Sequence, residues 1–285
     1  MSFSAKKLTK VANNLPPIKD GKIFYKDDNC ELWLGDARKM DFIPDNSVQL
    51  IVTSPPYNVC RDYSEWTDNL SPDGYLDFTR QWLKEAYRVL CKGGRLCINT
   101  PSALTQSTGS KIAFVSMDTW FIAVKEIGFL PRDITIWKKV GMLEGVTSWG
   151  SWCSQSAPFQ RDCAEWILTF SKEDMRLDPR GKKSDLTPEE FLFLSKNIWT
   201  MKAETRKIHP APFPLELPLR LIKFYCFPHD TVLDPFVGSG TTVLASKLLG
   251  RKGIGIDYDK RYLETAKQRI SQELLFDQNC ILTKI

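Results

Sequence analysis

The apolar run V-Q-L-I-V at 48–52 breaks off into T-S-P-P-Y-N at 53–58. Proline donates nothing to a sheet ladder, so Pro55 and Pro56 must end the strand that the run begins. What remains is a stiff turn at the carboxyl edge of a sheet. It exposes the hydroxyl of Ser54, the carbonyl of Pro55 and the ring of Tyr57. Ser-Pro is also a common loop opener, so the turn alone names no function.

The 285 residues suffice for one large α/β domain or two small ones. An apolar share of 42% beside 26% charged residues is that of a soluble globular chain with a sizeable core. The net charge of +5, from 39 Lys and Arg against 34 acids, tolerates a polyanionic partner without requiring one. Eight cysteines without a Cys-x-x-Cys pair, mostly within apolar segments, read as free buried thiols of a reducing compartment. The chain has only His209 and His229, with no ligand-like spacing, so no metal is expected. Met1 to Lys10 has no apolar stretch behind it, and no apolar run is long enough to cross a bilayer. An intracellular protein away from membranes is expected.

Short β-rich runs alternate with amphipathic segments, the pattern of a doubly wound, mostly parallel α/β sheet. Seven strands are predicted, at 31–34, 48–53, 95–99, 133–137, 166–170, 231–233 and 253–256. Helices are predicted at 74–90, 118–127, 215–227, 241–249 and 260–274, the first stopping at Gly93-Gly94. Strands 133–137 and 166–170 are placed as an antiparallel hairpin at one sheet edge. Between them, 141–161 is dense in Gly, Ser and Trp, as functional loops often are. Trp149 and Trp152 are candidates for stacking on bases, against plain packing under the loop. Residues 172–208 carry Arg176, Arg180, Lys182 and Lys183 among interspersed acids, either a nucleic-acid surface or a solvated face.

A second motif, T-V-L-D-P-F-V-G-S-G-T-T, spans 231–242. A strand runs into a glycine turn, and a helix starts at the Thr pair, which suits N-capping. Gly238 and Gly240 lack Cβ atoms, so a ligand could lie on the backbone. The third glycine of a dinucleotide fingerprint is replaced by Val243, and no P-loop lysine follows. A nucleoside ligand without a pyrophosphate stays open, and the G-x-G by itself is weak evidence for it. After the helix, R-K-G-I-G-I-D-Y-D reads as a strand ending in Asp257, where a carboxylate can accept ribose hydroxyls.

Together these pieces resemble the amino-group DNA methyltransferases that use S-adenosylmethionine. T-S-P-P-Y is similar to their catalytic motif and D-P-F-V-G-S-G-T-T to their cofactor motif, in the order of the permuted β group. L-G-D-A-R (34–38), E-A-Y-R-V-L-C-K-G-G-R-L (85–96) and H-P-A-P-F-P-L-E-L-P (209–218) resemble further family segments. The likeness covers residues 30–272, leaving 1–29 as an N-terminal arm and 273–285 as a tail. Residues 141–161 and 172–208 would form a small inserted target-recognition region. The resemblance implies that Ser54, Pro55, Pro56 and Tyr57 form the catalytic pocket. It implies that Asp234, Phe236, Gly238, Gly240 and Thr242 line the cofactor's methionine side. Asp257 would hold the ribose and Asp36 the adenine end, with Pro210 and Phe213 closing the site.

The chemistry suits those residues. An exocyclic amine on a base is a poor nucleophile because its lone pair is delocalised into the ring. Two acceptors holding its N–H groups would expose that lone pair, and Ser54 with the Pro55 carbonyl offers them on a rigid frame. Tyr57 would stack on a base rotated out of the duplex. Ser at position 54 resembles the N4-cytosine enzymes, and Asp or Asn there the N6-adenine enzymes, the nearest alternative. An RNA or protein amide methylase and an inactive DNA-binding module are further alternatives. Methylation at carbon 5 is disfavoured because the chain has no Pro-Cys. The implied partners are double-stranded DNA, a cognate restriction endonuclease and a second copy in a homodimer.

Overall fold

The computed structural model describes residues 15–59, 68–102, 104–105, 112–113, 115–140, 151, 153–158, 163–203 and 213–271. In chain order the elements are β1 (Lys22–Lys26), β2 (Cys30–Leu34), β3 (Val48–Thr53), α1 (Pro72–Val89) and β4 (Leu90–Pro101). A two-strand ribbon follows, β5 (Leu104–Thr105) and β6 (Ile112–Ala113), then α2 (Val115–Phe121), which runs on into a π-helical turn, Ile122–Ile127. Next come β7 (Leu130–Val140), β8 (Ala164–Ser171), α3 (Pro188–Leu194) and β9 (Ile198–Lys202). The chain closes with α4 (Glu216–Tyr225), β10 (Thr231–Asp234), α5 (Thr241–Leu248), β11 (Lys252–Asp257) and α6 (Lys260–Ser271).

Among the described residues, one sheet of nine strands, rather than seven, carries the fold in the order β1-β2-β11-β10-β3-β4-β8-β7-β9. Neighbours from β2 to β4 are parallel. β8 then runs antiparallel to both β4 and β7. The expected hairpin therefore exists, but inside the sheet: β9 pairs parallel with β7 and takes the edge. Besides the β5–β6 ribbon, two short strands of this sheet were not predicted. β9 alternates exposed Ile198, Thr200 and Lys202 with buried Trp199 and Met201, a five-residue period-2 signal. β1, within the stretch expected as an arm, pairs antiparallel with β2.

β3 is buried along its whole length, because helices cover both faces. Val48 and Ile51 join Trp82, Leu83 and Ala86 of α1 in one core layer. Leu50 and Val52 join Val232, Leu217, Leu221 and Ile222 in the other, beneath α4. A burial of this kind is worth about 1.5–3 kcal/mol per large apolar side chain. α1 starts where Ser71 accepts from the Gly74 N–H at 3.1 Å and Pro72 occupies the first turn. It stops at Val89, so Gly93-Gly94 is not its terminator. Both glycines sit in β4, and Gly93 takes a φ of 71° because the backbone of Arg176 crosses it. Among the described residues, the cysteines divide between buried Cys30, Cys97 and Cys226, partly buried Cys91, and exposed Cys153 and Cys163; Cys60 and Cys280 lie outside them. Exposed Cys153 and Cys163, which lie between β7 and β8 in the chain, depart from the expected burial.

A Cβ at position 93 would come within 2.0 Å of the Arg176 carbonyl oxygen. Gly93→Ala should therefore destabilise the fold by about 1–3 kcal/mol, as overpacking and backbone strain do. Urea unfolding checks this: an unchanged midpoint would mean that the crossing is not tight.

Candidate active site

Four adjacent parallel strands, β2, β11, β10 and β3, end along one edge of the sheet. Each delivers a piece of the same cleft. From β2 come Gly35 to Arg38, from β11 Asp257 to Asp259, from β10 Pro235 and Phe236, and from β3 Ser54 to Tyr57. β3 continues to neighbouring β4 on one side, and β10 to neighbouring β11 on the other. The cleft therefore opens where the winding reverses, as in other doubly wound sheets.

Asp234, 1% exposed at the end of β10, ties the two motifs together. Its carboxylate accepts from Thr53 Oγ1 at 2.7 Å, Thr242 Oγ1 at 2.6 Å and the Phe236 N–H at 3.1 Å. One acid thus joins the end of β3, the start of α5 and the glycine turn. Desolvation pushes its pKa up to about 6, against the lowering effect of those three donors. Thr242 is consequently a partner of Asp234 and not a helix cap. The N-cap is Gly240, in the left-handed region at φ 84°. A Cβ there would meet Ala266 of α6 at 2.7 Å, so that glycine serves helix packing.

Asp257 accepts from the N–H groups of Gly238 and Asp259, each at 2.8 Å. Desolvation pushes its pKa up to about 7, with the nearby Asp259 and Asp234 charges adding to the rise. Asp36 lines the cleft, but its carboxylate is engaged by Arg38, which reaches it at 2.6 Å and also donates to the Pro16 carbonyl at 2.7 Å. Pro16 joins the lining, and its neighbours are pinned by Lys19 Nζ on the Tyr258 carbonyl and the Tyr258 hydroxyl on the Pro17 carbonyl, both at 3.1 Å. Phe236 forms another wall, edge-on to Trp82 at 5.6 Å between ring centres.

At the β3 end, Tyr75 of α1 donates to the Pro56 carbonyl at 2.8 Å. Asn58, at φ 56°, exchanges two hydrogen bonds with Leu70, at 2.8 and 2.7 Å. These contacts fix the proline corner from both sides. Ser54 Oγ lies 2.7 Å from Tyr57 Oη, which also donates to the main-chain oxygen of Asn99 at 3.1 Å.

Of the residues singled out in the sequence, Ser54, Pro55, Pro56, Tyr57, Asp36, Phe236 and Asp257 meet in this cleft. Asp234, Gly238, Gly240 and Thr242 stand behind its wall and shape it. Phe213 packs instead into the core layer beneath α4. Pro210, Trp149 and Trp152 lie outside the described residues. The basic group is at the other end of the sheet. Arg180 and Lys182 pair with buried Asp230, which immediately precedes β10, and the Arg176 backbone crosses the start of β4. β10, four residues and about 13 Å long, separates the Arg180 and Lys182 pairings from the cleft. Asn58, Asn99, Arg38 and Glu165 were missed: each acts through a partner distant in sequence or through local pairing that no motif announces. Among the described residues, no cluster of His, Cys, Asp or Glu could hold a metal ion.

Over residues 48–268, a span holding both motifs, the sequence matches the N6/N4 DNA methylase family. It is 31% identical over 282 residues to the type II methyltransferase M.MjaI of Methanocaldococcus jannaschii, covering 85% of this chain and 91% of that protein. M.MjaVI of the same organism is 39% identical over 186 residues, 65% of this chain and 92% of its own. The solved structure of TTHA0409 from Thermus thermophilus, complexed with S-adenosyl-L-methionine, is similar at TM-score 0.67 and 30% identity, covering 86% of this chain and 95% of that one. The PvuII DNA methyltransferase (cytosine-N4-specific) shares the fold at TM-score 0.70 and 20% identity, covering 90% and 91%. The chain belongs to the N6/N4 DNA methylase family and is a DNA methyltransferase of the amino-methylating kind.

The raised pKa of Asp234 has a consequence for stability. Its folded-state pKa, about 6, lies above the ordinary value of 3.8, so the folded protein holds the proton more tightly. That contribution is complete below the ordinary value and is lost as pH rises through about 6. The stability of the wild type relative to Asp234→Asn should therefore fall between about pH 4 and pH 7 in thermal melts. A difference that is flat or grows with pH would contradict the assigned environment.

Proposed function

We propose that the protein is a site-specific DNA methyltransferase that moves a methyl group from S-adenosylmethionine to the N4 amine of cytosine in duplex DNA. The observation that carries this reading is the placement of Ser54 and the Pro55 carbonyl in one cleft with Phe236 and Asp257. The residues fit the cofactor's chemistry: a carboxylate for ribose hydroxyls, flanked by aromatic and proline walls and a neutralised Asp36–Arg38 pair. When bound, S-adenosylmethionine supplies a methyl already activated on a sulfonium.

The protein's own work is then to present the amine. Pro56 gives its carbonyl to Tyr75, while no donor among the described residues engages that of Pro55. Ser54 Oγ and the Pro55 oxygen can each accept one N–H of the target amine, which turns its lone pair away from the base plane. Pre-positioned acceptors of this kind need no reorganisation during reaction. Neither acceptor is a nucleophile toward the base, so no covalent intermediate forms. A base inside the duplex is out of reach, so the nucleotide must rotate out of the stack.

The serine supports cytosine over adenine, by its resemblance to the N4 enzymes. For DNA contacts, the strand directions favour 141–161 over the Arg176–Lys183 group. β7 ends at Val140 and β8 begins at Ala164 on the same sheet edge as Thr53, so the intervening residues leave from the cleft side. We extend the proposal to Trp149 and Trp152 in that segment as base-stacking residues.

Incubation with unmodified DNA and S-adenosylmethionine, followed by nucleoside mass spectrometry, should yield N4-methylcytosine. N6-methyladenine would overturn the choice of base, and no methylated nucleoside would overturn the reading. Ser54→Ala should slow transfer by about 100-fold or more, as loss of one pre-positioned polar group does. For the cofactor, Asp257 must be ionised to accept both ribose hydroxyls. Affinity by calorimetry should therefore weaken as pH falls below about 7. Asp257→Asn should bind about tenfold or more weakly at alkaline pH and lose that pH dependence; unaltered binding would show that the acid does not touch the ribose.

A further inference from the structure

Behind the catalytic corner stands a polar group that the mechanism above leaves unused. Glu165 of β8 pairs with Lys139 of β7, their side chains only 15% and 12% exposed. Asn99 of β4, 3% exposed, donates its Nδ2 both to Glu165 Oε2 and, at 3.1 Å, to Tyr57 Oη. Tyr57 Oη lies 3.5 Å from the same carboxylate oxygen. The amide of Asn99 is held in this orientation although its Oδ1 is buried without a partner. Turned over, its oxygen would face the Glu165 carboxylate. Leaving a buried acceptor unmade costs about 1–3 kcal/mol, so the carboxylate is the stronger determinant.

Counting protons gives this arrangement a direction. A phenol has one proton and accepts through its lone pairs. The Tyr57 proton is drawn to the main-chain carbonyl of Asn99 and the Glu165 carboxylate, and the Asn99 side-chain Nδ2 donates to the same phenol oxygen. What Tyr57 can still offer Ser54, 2.7 Å away, is an acceptor. The Ser54 proton then points at Tyr57, and the serine lone pairs are left for the cleft. With the opposite polarity, the serine proton would be free to meet an N–H of the substrate head-on.

We propose that Glu165, held by Lys139, is a positioning residue: through Asn99 and Tyr57 it fixes the polarity of the hydroxyl pair, so that Ser54 meets the target amine as an acceptor only. The proposal rests on the methyl-transfer reading and adds to it the origin of the serine's acceptor state. It ascribes no proton transfer to Glu165.

The test is a double-mutant cycle on single-turnover methyl transfer to DNA, comparing wild type, Glu165→Gln, Tyr57→Phe and the double variant. Glu165→Gln should slow transfer about 10-fold or more, with dissociation constants for cofactor and DNA within about twofold of wild type. In the Tyr57→Phe background, the same substitution should change the rate by less than about twofold, because the hydroxyl it acts through is gone. Equal losses in both backgrounds would show a structural role and overturn the proposal, as would an unchanged rate in the single variant. If Glu165→Gln fails to bind cofactor, Glu165→Asp takes its place in both backgrounds under the same criterion. Transfer by the wild type separates the two levels: none at all overturns the methyltransferase reading on which the proposal stands.

Discussion

A single buried carboxylate holds the two halves of this site in register. Asp234 receives Thr53 from one strand, Thr242 from the following helix and the Phe236 amide from the turn between. Residues 53 and 234 lie 181 positions apart, so the contact can form only when β10 docks beside β3. Every other relation in the cleft follows from that docking. The proline corner, the Phe236 wall and the carboxylate of Asp257 take their places because their strands are neighbours. A charged group so deeply placed is costly to desolvate, and its raised pKa records that cost. Three donors offset it.

The same economy of parts appears in the glycine turn. Gly238 hands its N–H to Asp257, and Gly240 clears the path of Ala266 on α6. The turn is therefore shaped by its protein neighbours before any ligand arrives. Pre-organisation of this kind reduces the ordering that a bound nucleoside would otherwise require. On the catalytic side, Asn58 and Tyr75 clamp the two prolines, and the hydroxyl pair of Ser54 and Tyr57 rests on Asn99. On both sides of the cleft, scaffold hydrogen bonds fix the surrounding backbone and leave the Pro55 carbonyl open to the cleft.

Much of this was legible from residue order. β3 is an apolar run broken only by Gln49 before Thr53, α1 has a clean amphipathic period, and Pro55-Pro56 marks where β3 must end. Position along a strand then places Ser54 and Asp257 at its carboxyl end. Short elements escaped because five or seven residues give too little periodicity: β1 mixes Lys, Phe and Tyr, and α3 exposes Phe191 and Leu192. The basic run 176–183 was open to two readings for a different reason. Charge in a sequence has no address, and Asp230, which absorbs Arg180 and Lys182, is about fifty residues downstream. Glu165 and Lys139 were equally silent, since their meaning arises only when β8 packs against β4 and β7.

The central claim is spatial: the donor's methyl and the acceptor's amine are served by one cleft at the ends of four neighbouring strands. A crystal structure of the protein with S-adenosylmethionine tests it directly. The account predicts the ribose hydroxyls on Asp257 and the sulfonium methyl turned toward Ser54 and the Pro55 carbonyl. A cofactor seated elsewhere, or with its methyl pointing away from the proline corner, would contradict it.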